Sequence, residues 1–285
     1  SPTGTISTAG TLTVLVPVII NAQPIDKTAC VNGNTSFSVT ATGSNLTYQW
    51  QVSVAGGPFT DLSNTAPYSG VFTNTLTITN NSLSLSTNRY RVIVTGTPCG
   101  AVTSNTATLT INPLPVVVVT AAPYSRLYPG LRATLFTTVS PPGVYTYKWF
   151  KNGTLVPDSI RDRYAVDIDA FGTYSATVTD VNGCTSLLSN LQTISDSVSS
   201  WLFIYPNPNM GRFQVRYYSQ VNNSTARYVT LFDAKGSKVY SRSFLVTRPY
   251  DRIDVNATNL QSGIYLLELS DPNGKRIAVG KVSVL

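Results

Sequence analysis

The side chains that carry most enzyme chemistry are scarce in this chain. Histidine is absent, which excludes Ser-His-Asp and Cys-His nucleophile pairs and any zinc or iron held by imidazole. Glutamate occurs once, at Glu268, so a carboxylate pair for glycoside hydrolysis would have to rest on aspartates alone. Catalysis within these 285 residues is not expected, and no metal or organic cofactor is implied. Thiol chemistry remains. Cys30, Cys99 and Cys184 allow one disulfide and one leftover thiol, and a disulfide implies an oxidising compartment.

The elements that position these residues are strands. Apolar residues make up 42% of the chain and charged ones only 12%. Thr, Ser, Val, Asn and Tyr dominate, with Gly and Pro recurring every several residues, which is an all-β composition of short strands and many turns. Phe37 and Val39 point one way while Ser36, Ser38 and Thr40 point the other. Turn signals stand at Gly56-Gly57, Asn152-Gly153 and Asn182-Gly183. No apolar stretch reaches the roughly 18 residues of a transmembrane helix, and Pro17 interrupts the longest run, Leu12–Ile20. The net charge of +7 is uneven: residues 201–285 hold 11 basic and 5 acidic groups, while the rest is near neutral. Such a surplus suits an anionic surface. Without a recognition motif or a dense basic run it does not suggest nucleic acid.

The chain repeats itself. Ser7–Val14 resembles Ser104–Ile111, and each is followed by a proline-containing apolar strand. Residues 1–15 thus read as the last strand of a preceding repeat, within a longer exported precursor. Residues 16–112 and 113–194 read as two full units. The first carries Trp50 in Tyr48-Gln49-Trp50 and then Tyr90-Arg91-Val92; the second carries Trp149 in Tyr147-Lys148-Trp149 and then Tyr174-Ser175-Ala176. A Trp on the third strand and a Tyr two residues before an inter-sheet position resemble an immunoglobulin-like sandwich. Val92 and Ala176 stand where antibody-type domains place the second cysteine, so apolar packing replaces that bridge. The alternation around Trp50 and Trp149 favours core positions over a sugar-binding platform. Tyr124, Tyr128, Tyr145 and Tyr147 are left as partly exposed aromatics. In such a sandwich the ends carrying Cys30 and Cys99 can approach. The expected disulfide is Cys30–Cys99, with Cys184 a free thiol in a turn.

The last part of the chain opens with Tyr205-Pro206-Asn207-Pro208-Asn209-Met210-Gly211, where the two prolines suggest an extended, rigid corner. Strands follow at Phe213–Tyr218, Tyr228–Phe232, Lys238–Phe244, Arg252–Val255, Ile264–Ser270 and Arg276–Leu285, with tight turns at Asp233–Gly236 and Asp271–Gly274. Three signatures occur in order: Pro-Asn-Pro-x-x-Gly at 206–211, Gly-x-Tyr at 263–265, and Lys-Val-x-Val at 281–284. Together they resemble the type A C-terminal sorting domain of the Bacteroidetes type IX secretion system, over residues 203–285. That resemblance implies a folded signal, read after outer-membrane translocation by a shuttle β-barrel and the translocon. A sortase-like protease then removes it and links the cargo to anionic lipopolysaccharide. Residues 195–202 are the expected linker and cleavage region. An unpaired final strand and an exposed corner suit recognition, with Pro206, Asn207, Pro208, Gly211, Gly263, Tyr265, Lys281, Val282 and Val284 as its residues. The same resemblance implies O-glycosylation at Asp-Ser-aliphatic triplets, here at Ser159 and Ser197. The expected architecture is tandem immunoglobulin-like β-sandwiches followed by a small antiparallel β-sandwich. The expected function is that of a non-catalytic surface stalk or adhesin. The alternative is spacers and sorting tail for an enzyme domain upstream.

Overall fold

The structure, a computed structural model, describes residues 15–97, 100–220 and 224–285. The stretch 1–15, read as a strand of a preceding repeat, lies outside the described residues apart from Leu15, and so does Cys99. Among the described residues every regular element is a strand except the 3-10 turn Leu83–Leu85. No helix among them is long and apolar enough to cross a membrane. The chain divides into two compact units: Ser1–Val116 with Ser140–Tyr145 and Val178–Leu187, and Val117–Val139 with Thr146–Thr177 and Leu188–Leu285.

In the first unit, one sheet runs in the order Lys27–Cys30, Ala107–Asn112, Arg89–Gly96, Leu46–Ser53, Phe59–Asp61. Opposite it lie Thr35–Ser38, Thr75–Ile78 and Tyr68–Ser69, with the pair Ile19–Ala22 and Thr40–Thr42 beside them. Strand alternation sends Phe37, Trp50, Leu76, Tyr90, Val92 and Leu109 into the space between, all fully buried. Trp50 is a core residue: its Nε1–H donates to the Thr73 carbonyl at 3.0 Å and its ring lies 6.5 Å from Phe37.

Cys30 does not pair with Cys99. It is bonded to Cys184, with the Cα atoms 5.6 Å apart, so Cys184 is not a free thiol. The register explains why. Cys30 lies opposite Asn112, and Thr108 lies opposite Arg89, while Gly96 and Gly100, which bracket Cys99 in the sequence, pair at the other end of the Arg89–Gly96 strand. About eleven residues of strand separate Asn112 from Gly96, roughly 35 Å at about 3.3 Å per residue. Cys184 is presented by the turn Asp180–Cys184, where the Asp180 carboxylate accepts the N–H groups of Asn182 (2.9 Å) and Cys184 (2.8 Å).

The second sandwich has one sheet of Val116–Ala122, Ala133–Ser140 and Arg163–Val166. The other runs in the order Arg126–Leu127, Gln192–Asp196, Gly172–Thr179, Thr146–Lys151, Thr154–Leu155. Leu127, Leu135, Trp149, Tyr174 and Ile194 fill its core. Tyr174 O–H donates to the carbonyl of Ala170, four residues earlier. Within the same unit the final β-sandwich has a three-stranded sheet (Phe203–Tyr205, Arg212–Arg216, Ile253–Asn256). Its four-stranded sheet runs in the order Lys238–Val246, Thr225–Phe232, Gly263–Ser270, Arg276–Val284. Phe213, Val215, Leu231, Leu267, Leu269 and Val282 form the core. Asp233 and Asp271 each cap their turn in the manner of Asp180, accepting N–H groups two and four residues on.

Candidate functional site

The Pro-Asn-Pro corner is not extended. Both X-Pro bonds, Tyr205–Pro206 and Asn207–Pro208, are cis, and residues 206–208 bend back along the final strand. The Asn207 side chain then acts as a substitute strand. Its Nδ2–H donates to the Lys281 carbonyl at 2.8 Å, and its Oδ1 accepts the Ser283 N–H at 2.8 Å. Asn209 continues with its backbone, donating N–H to Ser283 O and accepting Leu285 N–H, both at 2.9 Å. A primary amide offers donor and acceptor in one plane, which is why Asn serves where the two flanking prolines have no N–H to give.

The corner closes on a glycine that chemistry requires. Asn209 Oδ1 accepts the Gly211 N–H at 2.8 Å, and Gly211 O accepts the Ala257 N–H at 2.7 Å. Gly211 has φ +79°, and a Cβ there would stand 2.7 Å from the Ala257 carbonyl oxygen. Its role is backbone geometry.

The final strand was expected to be unpaired. It is the edge of its sheet, paired on one side with Gly263–Ser270, but the corner occupies the other side of residues 281–285. By alternation, Val279 carries outward main-chain groups in its uncovered part, and the register shifts beyond it, between Ala278 and Arg276. Of the predicted recognition residues, Pro206, Asn207, Pro208, Gly263 and Lys281 are exposed. Tyr265 (7%), Val282 (0%) and Val284 (5%) are buried in the core. Tyr265 O–H donates to the Gln261 carbonyl at 2.7 Å, repeating the Tyr174 arrangement. The structure thus brings Asn207, Lys281 and the final strand together, and Gly263 lies opposite Val284 on the neighbouring strand, across the final strand from the corner.

The expected linker at 195–202 is strand at its start, and its residues 197–202 have no regular secondary structure. The strand Gln192–Asp196 runs into it, Ser195 N–H donates to Ser125 O at 3.0 Å, and Ser197 N–H donates to Leu127 O at 2.8 Å. From the final sandwich, Tyr250 donates its O–H to the Ser197 carbonyl at 2.6 Å. Its ring is 1% exposed and belongs to the core cluster of the second sandwich, with Phe203 at 5.9 Å and Tyr218 at 5.7 Å. Burial pushes the Tyr250 hydroxyl up to about 12. Arg216 stands between the core residues Val215 and Tyr217, where strand alternation points a side chain to solvent, yet it is 4% exposed. Its guanidinium clasps both oxygens of Asp169 at 2.8 Å and donates to Tyr250 O at 3.0 Å. The Arg216 hydrogen bond, then its charge and that of Arg248, hold the Asp169 carboxyl below the usual carboxylate range. No sequence signal marked this pair, because the partners lie 47 residues apart.

At the glycosylation triplets, the Ser159 hydroxyl is already engaged: it donates to Val156 O at 2.6 Å and accepts the Trp149 N–H at 3.2 Å. Ser197 is half-buried, with both backbone groups in use.

Residues 203–282 match the family of secretion system C-terminal sorting domains, and residues 21–113 match a family described as a domain of unknown function. No curated protein sequence matches the chain. Among solved structures, an E-to-A variant of the three-immunoglobulin titin fragment I67–I69 is 12% identical, with 95% of this chain and 99% of that one covered and a TM-score of 0.39. The N-terminal Ig1-2 module of the Drosophila receptor protein tyrosine phosphatase DLAR is 18% identical over 64% of this chain and 100% of that one, with a TM-score of 0.29. Likenesses of that size carry no argument, and the fold class rests on the sheets themselves. The corner, the final strand and the family match define an exported all-β protein that carries a folded secretion signal. More particularly, residues 203–282 match the C-terminal sorting domains of a secretion system, and they follow two β-sandwiches in the same chain.

Proposed function

We propose that this is a non-catalytic surface stalk or adhesin of a Bacteroidetes cell. Its final β-sandwich is read by a shuttle β-barrel and the translocon after crossing the outer membrane. A sortase-like protease then removes the signal, and the repeats are joined to anionic lipopolysaccharide. The observation that supports this reading is the corner itself: the sorting-family signatures at 206–211 and 281–284 are physically one structure, joined through Asn207 and Asn209. A partner that recognises it meets Pro206, Pro208 and Lys281 on one exposed surface. The absence of histidine and the single glutamate support a non-catalytic role.

Peptide mapping of the protein recovered from the surface and medium of its native host tests the reading. Peptides that stop between residues 195 and 203, with nothing recovered from the final sandwich, are the expected result. A mature surface protein that still carries Lys281–Leu285 overturns it.

A further inference from the structure

The region between the second sandwich and the sorting domain is a joint, and the residues that make it are also those a releasing protease must reach. Proteases take substrates as extended strands whose backbone groups are free to pair with the enzyme. Neither backbone group of Ser197 is free: its N–H is held by Leu127 and its carbonyl by Tyr250. Trp201 and Phe203 follow at once, and both rings pack on Tyr128, at 6.2 Å and 5.8 Å. The sorting domain's own side of the contact is anchored by Tyr250 and by the Arg216–Asp169 clasp. Val198, Ser200 and Trp201 are themselves exposed, so the hold on the segment lies at Ser197. Laying Ser197 and its neighbours into a protease as an extended strand means withdrawing the Tyr250 hydroxyl whose hydrogen bond the Ser197 carbonyl accepts.

We propose that the sorting domain, docked through Tyr250 and Arg216, shields its own release segment, so that cutting between residues 197 and 202 requires the joint to open first. This rests on the reading that the domain is removed by proteolysis. The implied partner is a protease that binds its substrate as an extended strand and either opens the joint or meets it opened by the secretion machinery. The chemistry is ordinary hydrolysis: the amide C–N bond breaks, and water supplies the hydroxyl to the new carboxylate and the proton to the new amine. The joint controls access alone. When opening and closing are fast, the cutting rate follows the population of the open form.

The test uses the full chain and a low dose of a broad-specificity protease, proteinase K, with cuts between 197 and 202 followed by intact mass. Asp169→Ala removes the surface half of the clasp, and Tyr250→Phe removes only the hydroxyl that holds Ser197. Both variants are expected to be cut in this segment about tenfold or more faster than the parent chain. Hydrogen exchange at the Ser197 amide should rise with them, while Val229 and Leu267 in the sorting domain's core strands stay protected. If the parent chain is cut there as fast as the free peptide 195–203, the proposal is overturned. It is also overturned if Tyr250→Phe leaves both the cutting rate and the Ser197 exchange unchanged. A tail retained on the mature surface protein in the native host would instead sink the sorting reading, so the two failures are distinguishable.

Discussion

Replacing Asn207 by alanine isolates the contribution of the corner to the final strand. The side chain makes two hydrogen bonds, to Lys281 O and from Ser283 N–H, both at 2.8 Å. A net value of about 1 kcal/mol each, reduced because Asn207 is exposed and water can replace part of the loss, gives about 1–2 kcal/mol. That loss is local: it frees the outer side of residues 281–285 without removing any core atom. Hydrogen exchange resolves it, since a change of about 1–2 kcal/mol in local opening accelerates exchange about 5- to 30-fold. The Ser283 amide should speed up by that factor, while the Val282 amide, facing the neighbouring strand, should not. Asn207→Asp keeps an acceptor for Ser283 N–H but offers no donor to Lys281 O, so the Ser283 amide should be protected better in Asn207→Asp than in Asn207→Ala. Unchanged Ser283 exchange in Asn207→Ala would mean that the strand holds itself and the corner only lies beside it.

Three further outcomes are expected. Gly211→Ala forces a left-handed residue and puts a methyl group 2.7 Å from Ala257 O, so denaturant unfolding should show a loss of about 2–4 kcal/mol; Gly263→Ala, whose Cβ would meet the Tyr265 ring at an ordinary contact distance of 4.0 Å, should stay within about 0.5 kcal/mol. Non-reducing peptide mapping should recover Cys30 linked to Cys184, and Cys184→Ser should lower stability by at most about 5 kcal/mol, the chain-entropy limit for a 154-residue separation. The third outcome concerns pH. Because Arg216 depresses the Asp169 carboxyl, its contribution to the joint is fully present above the unfolded value near 3.9 and is lost as pH falls through the folded value. Protection of the Ser197 amide, taken relative to the intrinsic exchange rate at each pH, should therefore fall below about pH 4 in the parent chain but not in Asp169→Asn.

Local patterns carried much of the fold. The alternation in Phe213-Gln214-Val215, the Asp-x-x-Gly turns at 233–236 and 271–274, and the Trp and Tyr positions of both repeats are short-range signals, and each lands where periodicity and turn chemistry put it. What eluded the sequence is set by distance along the chain. Cys30 and Cys184 meet because a strand end and a turn from different repeats are brought together, and nothing near either cysteine encodes that meeting. Arg216 follows the alternation expected of a solvent-facing residue, and the apposed Asp169 together with the Tyr250 carbonyl makes its burial tolerable. Ser195–Ser200 has a linker's composition, yet main-chain hydrogen bonds to Ser125 and Leu127 hold Ser195 and Ser197, and serine side chains announce nothing about such bonds.

The corner shows why a motif's residues need separating before their function is tested. Val282 and Val284 are core side chains, Gly211 is a backbone requirement, and Asn207 is committed to the final strand. An export defect in any variant of these four reports a disturbed fold as readily as a lost contact. Pro206 and Lys281 differ: both are exposed, and neither side chain packs in the sandwich core. Lys281→Ala leaves the carbonyl that Asn207 holds, because that bond is to the main chain. Export lost in Lys281→Ala with Ser283 exchange unchanged would assign this side chain to recognition. Export retained in Lys281→Ala and lost only in variants that free the strand would assign recognition to the folded shape of the corner.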